Sequence, residues 1–163
     1  MSGNGIFLSL GSNLGERQNN IKQALIMLEN HRDIIILKES SIYETKPYGV
    51  IEQNDFLNIA IKINTSCSPE DLLRKVKWIE KKIGRIQGER WGPRIVDIDI
   101  LFYHQLVFNS KDLIIPHLDL QNRDFVLVPM VEIAPDFIHP IFNMNMQQLL
   151  ANFYIKYNQP VSF

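Results

Sequence analysis

Residues 90–100 read Arg-Trp-Gly-Pro-Arg-Ile-Val-Asp-Ile-Asp-Ile. The second half of this stretch alternates acidic and apolar residues, which is the pattern of a β-strand whose successive side chains point to opposite faces. Asp97 and Asp99 therefore share one face, and the apolar residues beside them share the other. On this pattern alone, a wet face on an ordinary edge strand remains an alternative to a functional site.

The two carboxylates predict a metal site. Like charges held close together repel and are costly to bury alone, so a cation is expected between them. Mg²⁺ is commonly held by one or two carboxylates together with substrate phosphates. The preceding segment adds cations and turn formers, and we expect a mobile loop that closes over phosphates. These residues are Gly84, Arg85, Gly88, Arg90, Gly92, Pro93 and Arg94.

Arg-Trp-Gly-Pro-Arg followed by Asp-x-Asp resembles the 6-hydroxymethyl-7,8-dihydropterin pyrophosphokinase family of folate biosynthesis. The resemblance covers nearly the whole chain, from Gly5 to Ala134. It implies an enzyme that moves the pyrophosphate of ATP onto the hydroxymethyl group of a pterin and releases AMP. For such a reaction we expect two Mg²⁺ ions, held on the triphosphate by Asp97 and Asp99.

Composition limits the alternatives. A chain of 163 residues suits one domain, and 45% hydrophobic and 21% charged residues are ordinary for a globular protein. The net charge of −1 provides no general attraction for nucleic acid or an anionic membrane. The single cysteine, Cys67, fits a packing position in a reducing compartment. No apolar run reaches the length of a membrane span, so we expect a cytoplasmic protein. We also expect it to be a monomer.

The N-terminal half reads as strand, helix, strand and strand. Residues 5–10 predict a strand that ends in Gly-Ser-Asn-Leu-Gly at 11–15, and a helical stripe follows from Ile21 to Leu28. The glycines invite a nucleotide-loop interpretation, but no P-loop or dinucleotide signature is present, so a structural turn is favoured. Residues 34–37 predict a buried strand that continues towards Tyr43, and residues 45–55 predict a polar loop.

Phe56 and Asn58 lie on one face of the next predicted strand, whose core face carries alternate apolar residues from Leu57 to Ile63. An aromatic ring beside an amide would suit a flat heterocycle, although an ordinary half-exposed strand face explains the pair as well. The resemblance favours the heterocycle. It implies a pterin site that includes Thr45, Pro47, Tyr48, Phe56, Asn58, Trp91, Asp97 and Phe125, with Trp91 as a lid and the two phenylalanines on either side of the ring.

Ser68 and Pro69 predict a helix start, and an apolar stripe from Leu72 to Ile83 runs to a stop at Gly84. Lys77 and Glu80 lie off this stripe, where such pairs are usually solvated. The resemblance instead implies ATP contacts by Glu80, Arg85, Arg94, Ile100, His117 and Arg123. We expect catalytic roles for Arg85, Arg94, Asp97 and Asp99, in which the arginines stabilise the transition state, and Arg90 is a further candidate. On its own, a lone histidine after a proline is usually a surface residue.

A return strand is predicted at 106–108 and a short helix near 146–153. The order β-α-β-β-α-β predicts an α+β ferredoxin-like sandwich, with a mostly antiparallel sheet, helices on one face and the other face open for ligands. Fold alone does not establish activity. A ligand-sensing module without catalysis and a metal-dependent nucleotide-sugar transferase remain alternatives. The loop before Trp91 is one residue shorter than the family pattern, and Lys46 and Leu118 also depart from it.

Overall fold

The computed structural model describes residues 3–45, 55–86 and 95–157. The strands are β1 (Ile6–Ser12), β2 (Ile34–Glu39), β3 (Tyr43–Thr45), β4 (Phe56–Thr65), β5 (Asp97–Tyr103), β6 (Phe108–Asn109) and β7 (Ile114–Ile115). The helices are α1 (Arg17–Glu29), α2 (Pro69–Ile86), α3 (Asp124–Ile133) and α4 (Met146–Lys156), with a 3-10 turn at Leu120–Asn122.

The main sheet has the order β2-β4-β1-β5, and β3 extends the β2 side by pairing with β4. Every neighbouring pair is antiparallel. β1 and β2 are consequently parallel with β4 between them, and β4 and β5 are parallel with β1 between them. α1 and α2 make these two crossovers, which is the ferredoxin-like arrangement predicted from the order of elements. β6 begins at Phe108 and pairs with β7, later than the predicted return strand.

One face of the sheet packs against α1 and α2. Alternate residues of β1, β4 and β5 point into this helix-side core, and α2 contributes Leu72, Val76, Ile79 and Ile83 at 0–1% exposure. The Ser68 hydroxyl accepts a hydrogen bond from the Asp71 backbone N–H at 3.2 Å, as expected of an N-cap. α2 continues two residues past the predicted stop at Gly84. An internal glycine costs only about 1 kcal/mol, which the packing of Ile83 can offset.

The opposite face was expected to be open, but α3 and α4 cover part of it. Phe7 and Phe102 project from this face, and Phe137 packs on both rings at centroid distances of 4.8 and 4.7 Å. A register shift between Phe7 and Leu8 lets both Leu101 and Phe102 join this second core. Such large apolar groups require cover, so only the part of the face beyond them is available to ligands. α3 contains Pro129, a residue that disfavours a helix in sequence.

None of the helices in residues 3–45, 55–86 and 95–157 combines the length and the apolar composition that crossing a bilayer requires.

His139 is a buried titratable group in the second core, 2% exposed. Its Nδ1 accepts hydrogen bonds from the backbone N–H groups of Ile141 and Phe142, and its ring packs on Phe102 and Phe142. Burial lowers the pKa of His139 from 6.5 to about 4, because charging the ring there would cost its hydration. His139 therefore stabilises the fold fully above pH 6.5 and progressively less as the pH falls towards 4.

We expect the free energy of unfolding to fall by roughly 3 kcal/mol between pH 6.5 and pH 4 on account of His139 alone. In His139→Asn, the amide oxygen can accept the same backbone hydrogen bonds but does not titrate. This variant should be less stable at pH 7, by roughly 1–3 kcal/mol because ring contacts are lost, and its stability should depend less on pH. Urea unfolding from pH 7.5 to 4.5 measures both effects, with His31→Asn as a control. Parallel losses of stability in wild type and His139→Asn would contradict this role.

Candidate functional site

Asp97 and Asp99 lie on the part of the sheet that α3 and α4 leave uncovered. Both point away from the helix-side core, because they alternate with Ile98 and Ile100, which are 1% and 4% exposed in that core. The side chain of Asp99 is 41% exposed. The two Cα atoms are about 7 Å apart along the strand, which lets both carboxylates reach one ligand from the same side.

A row of aligned residues crosses this face. Gly11 of β1 pairs with Asn58 of β4 on one side and with Asp97 of β5 on the other, and Tyr43 continues the row beyond Asn58. A Cβ on Gly11 would lie 2.8 Å from Asn58 Oδ1, closer than such atoms approach. Glycine thus keeps the floor clear between the amide and the carboxylate.

Thr45, Phe56 and Asn58 come together at one end of this row. Thr45 pairs with Phe56 across β3 and β4, and Asn58 Nδ2 donates a hydrogen bond to Thr45 Oγ1 at 2.8 Å. Asn58 is 7% exposed, and a buried amide that lost this hydrogen bond would be left unsatisfied. The Thr45 hydroxyl therefore orients the Asn58 amide. The sequence pattern predicted that Phe56 and Asn58 share a face, and the bond to Thr45 is an addition from the fold.

His117, Arg123 and Phe125 belong to the segment that runs from β7 into α3. His117 Nε2 is 4.0 Å from Asp99 Oδ2, and the His117 backbone N–H donates to Leu101 O at 2.9 Å, which ties this residue to β5. The Arg123 guanidinium lies over the Phe125 ring, 5.8 Å from its centroid, at the start of α3. His117 therefore lies beside the acidic strand, whereas Arg123 and Phe125 form a cation–π contact at the start of α3.

The side chains of Glu80 and Ile100 are both buried, although both residues were predicted to contact ATP. Glu80 is 5% exposed, and its Oε2 accepts a hydrogen bond from the Ile98 backbone N–H at 2.7 Å. Its Oε1 lies 3.2 Å from Lys77 Nζ. Because the Glu80 side chain is buried, the interpretation of Lys77 and Glu80 as a solvated surface pair is wrong for Glu80. Glu80 thereby fixes the free edge of β5 between the two aspartates. The Ile100 side chain packs in the helix-side core, so an ATP contact by Ile100 would use its backbone.

Several predicted contacts fall outside the described residues. They are Pro47 and Tyr48, whose role was predicted for the pterin, and Arg90, Trp91 and Arg94 of the cationic segment. Arg85 lies in the last turn of α2, and its side chain is likewise outside what the structure describes.

The predicted metal ligands are a pair rather than a full coordination set. Within residues 3–45, 55–86 and 95–157, no group of three or more His, Cys, Asp or Glu side chains could hold a metal ion. Two carboxylates on one face nevertheless suit Mg²⁺, which takes oxygen ligands and completes its shell with water and substrate phosphates. The donor set fits a metal that arrives with a nucleotide.

Three polar residues that support the site were not assigned roles from sequence. Ser12 Oγ donates to Ile95 O at 2.6 Å and accepts from Asn20 Nδ2 at 3.3 Å, which links β1 and α1 to the start of β5. Arg17 donates to Asp55 O at 2.6 Å and lies 3.4 Å from Glu44. Asn20 is fully buried. In the sequence, its position directly before Ile21, where the apolar stripe of α1 begins, was the signal that could have identified it as a buried polar residue.

The sequence matches the family model of 7,8-dihydro-6-hydroxymethylpterin-pyrophosphokinase over residues 7–135. The chain belongs to this family. A relative from Aquifex aeolicus, named 2-amino-4-hydroxy-6-hydroxymethyldihydropteridine pyrophosphokinase, is 43% identical over 143 residues, which cover 88% of each chain. A relative of the same name from Bacillus subtilis is 42% identical over 128 residues, which cover 78% of this chain and 77% of the relative.

Solved structures with the same fold include the HPPK-DHPS protein of Plasmodium falciparum, with a TM-score of 0.75 and 15% identity. That match covers 95% of this chain and 44% of the Plasmodium chain, so the pyrophosphokinase family member described here spans less than half the length of that protein. At this identity the likeness concerns the fold alone, and it agrees with the ferredoxin-like prediction.

Proposed function

We propose that this chain transfers the pyrophosphate group of ATP to the hydroxymethyl oxygen of 6-hydroxymethyl-7,8-dihydropterin, in folate biosynthesis. The oxygen forms a bond to the β-phosphorus, the bond from that phosphorus to the αβ-bridging oxygen breaks, and AMP leaves. The hydroxyl proton passes to solvent. Membership of the pyrophosphokinase family supports this reaction.

The observation that carries the proposal is the row from Asn58 across Gly11 to Asp97. A flat heterocycle that hydrogen-bonds to the Asn58 amide can lie over Gly11, with its substituent directed at Asp97. Phe56, which shares a face of β4 with Asn58, and Phe125 are proposed to pack on the two sides of such a ring. In this pose an alcohol on the ring would face the acidic strand.

Phosphoryl-type transfer depends mainly on alignment and on neutralising spread-out negative charge. Asp97 and Asp99 would hold two Mg²⁺ ions, and these supply charge neutralisation on the triphosphate and polarisation of the attacking oxygen. Arg123 and His117 are proposed to contact the nucleotide, and Glu80 supports β5 through its hydrogen bond from the Ile98 backbone N–H. Arg85 and Arg94 are proposed to stabilise the transferring group, with Trp91, Pro47 and Tyr48 closing over the pterin.

We also propose that the activity depends on Mg²⁺ with two bound ions. We propose further that the protein is a monomer with one domain over residues 1–163 and a cytoplasmic location. The buried, free Cys67 is compatible with a reducing compartment. The net charge of −1 supports the absence of a nucleic-acid partner.

Product analysis tests the reaction. The purified chain is mixed with ATP, Mg²⁺ and 6-hydroxymethyl-7,8-dihydropterin, and the nucleotides and pterins are separated. We expect AMP and pterin pyrophosphate in equal amounts, and both should disappear when Mg²⁺ is chelated. ADP as the nucleotide product, or folded protein that forms no AMP, would contradict the proposal. The second outcome with intact pterin binding would instead favour a ligand-binding module, and turnover of a nucleotide sugar would favour a sugar transferase.

A further inference from the structure

The connection between β2 and β3 is irregular. Both strands pair with β4, but Glu39 is opposite Ile61 whereas Tyr43 is opposite Asn58, so the chain gains one residue over this corner. Ser40 maintains contact with β4, because its N–H donates to Ala60 O and its Oγ accepts from Ala60 N, both at 2.9 Å. The next residue, Ser41, turns its N–H away from that ladder. An insertion of this kind interrupts the ladder locally and leaves the extra residue without a partner in β4.

A carboxylate from α3 holds this corner. Glu132 accepts hydrogen bonds from the Ser41 N–H at 3.0 Å to each of its oxygens, from Ser41 Oγ at 3.1 Å and from the Tyr43 hydroxyl at 2.6 Å. In addition, Lys38 Nζ donates to Ile133 O at 3.3 Å. The end of α3 is thus joined to the end of β2 at Lys38, to Ser41 in the connection and to Tyr43, the first residue of β3. These partners are about ninety positions apart in the chain.

The corner is continuous with the amide that faces the floor of the site. Tyr43 is opposite Asn58, and two residues later Thr45 accepts the hydrogen bond from Asn58 Nδ2. β3 has only three residues and pairs with β4 alone. Within the described part of the chain, β3 is held by its pairing with β4, by the contacts of Glu132 with Ser41 and Tyr43, and by the exposed ion pair between Glu44 and Arg17, a kind of pair that usually contributes little. A slip of one residue would turn Thr45 to the other face and leave the Asn58 amide without its partner.

We propose that Glu132 is a positioning residue for the pterin side of the site: it holds β3 in register, and β3 in turn orients the Asn58 amide through Thr45. This role rests on the proposed function, because it assigns the pterin to Asn58. It predicts that loss of the Glu132 contacts weakens the use of the pterin and leaves the use of ATP nearly unchanged, since Asp97 and Asp99 lie across two strands from β3.

The protonation behaviour of the pair is in keeping with this geometry. The hydrogen bond to Glu132, together with burial and the negative charge, raises the pKa of Tyr43 to about 12. Burial alone would raise the pKa of Glu132, but the hydrogen bonds from Tyr43 and Ser41 lower it overall. Glu132 is therefore an acceptor only, and Tyr43 a donor, throughout the neutral range.

Steady-state kinetics of full-length variants test the role. In Glu132→Ala we expect the KM for the pterin to rise about tenfold, and the KM for ATP and kcat to change less than about threefold. Glu132→Gln keeps one acceptor oxygen and should give an intermediate pterin KM. Tyr43→Phe removes one of the hydrogen bonds and should give the smallest increase. Glu39→Gln removes the same charge from an exposed position on β2 and serves as the control.

The results distinguish failure of the Glu132 role from failure of the proposed pyrophosphate transfer. Wild-type protein that makes no AMP from the pterin would overturn both. Active wild type, with an unchanged pterin KM in folded Glu132→Ala, would overturn the positioning role alone. Equal increases in both KM values, or a loss of thermal stability with no change in either, would indicate a purely structural residue and also overturn it. If Glu132→Ala does not fold, the ordered effects of Glu132→Gln and Tyr43→Phe decide the question.

Discussion

Replacement of Asp97 or Asp99 by asparagine should reduce turnover about a thousandfold, because the several kcal/mol that metal ions contribute to charge stabilisation correspond to at least that factor. Asparagine keeps the shape of the side chain and one oxygen ligand but removes the negative charge that attracts Mg²⁺. Both positions face away from the helix-side core, and Asp99 is 41% exposed, so the substitutions spare the packing that holds β5. The expected loss is therefore in catalysis and not in folding.

Initial rates at saturating substrates, measured over a series of Mg²⁺ concentrations, give the size of the effect. The variants should need more Mg²⁺ than wild type for whatever activity remains, and their thermal unfolding midpoints should stay close to the wild-type value. Asp112→Asn removes an exposed carboxylate from a segment beyond β6 and should behave as wild type. Rates near wild type in both Asp97→Asn and Asp99→Asn would contradict the metal assignment.

The acidic strand could be predicted from sequence because its information is local. Alternation places Asp97 and Asp99 on one face whatever the rest of the chain does, and the same rule places Phe56 beside Asn58. The order of strands and helices similarly predicts the ferredoxin-like sheet, since parallel strands separated by one neighbour require the crossovers that α1 and α2 make. These features depend on spacing along short stretches.

Features that depend on distant partners could not be predicted in this way. Glu132 contacts Ser41 and Tyr43 across about ninety positions, and no local pattern connects them. Glu80 has the spacing of a surface ion pair, yet it is buried because the free edge of β5 needs an acceptor for the Ile98 N–H. The sequence did not predict that α3 covers the second face, because Pro129 locally disfavours a helix. Packing against the core that contains Phe7 and Phe102 favours the helix instead.

Arg94→Ala should lower kcat by about 10²–10³-fold, the usual effect of removing a preorganised group that stabilises transition-state charge. The chain carries a net charge of −1, so neutralisation of a triphosphate must come from local cations. Arg94 is bonded to Ile95, which is 5% exposed and whose carbonyl accepts the Ser12 hydroxyl at 2.6 Å. This anchor fixes the point at which the cationic segment joins the acidic strand, two residues before Asp97.

Single-turnover rates at saturating ATP and pterin distinguish a chemical role for Arg94 from a role in binding. Arg94→Lys retains the charge but lacks the planar fork that contacts two phosphate oxygens, so its rate should lie between those of wild type and Arg94→Ala. Arg32→Ala, at an exposed position after α1, removes a cation elsewhere and should leave the rate unchanged. An unchanged rate for Arg94→Ala under saturating conditions would assign transition-state stabilisation to other cations. The differences in rate can be attributed to chemistry only if all four proteins have the same thermal stability. We expect this, because the hydrogen bond from Ser12 Oγ goes to the backbone carbonyl of Ile95, which the substitutions at Arg94 do not alter.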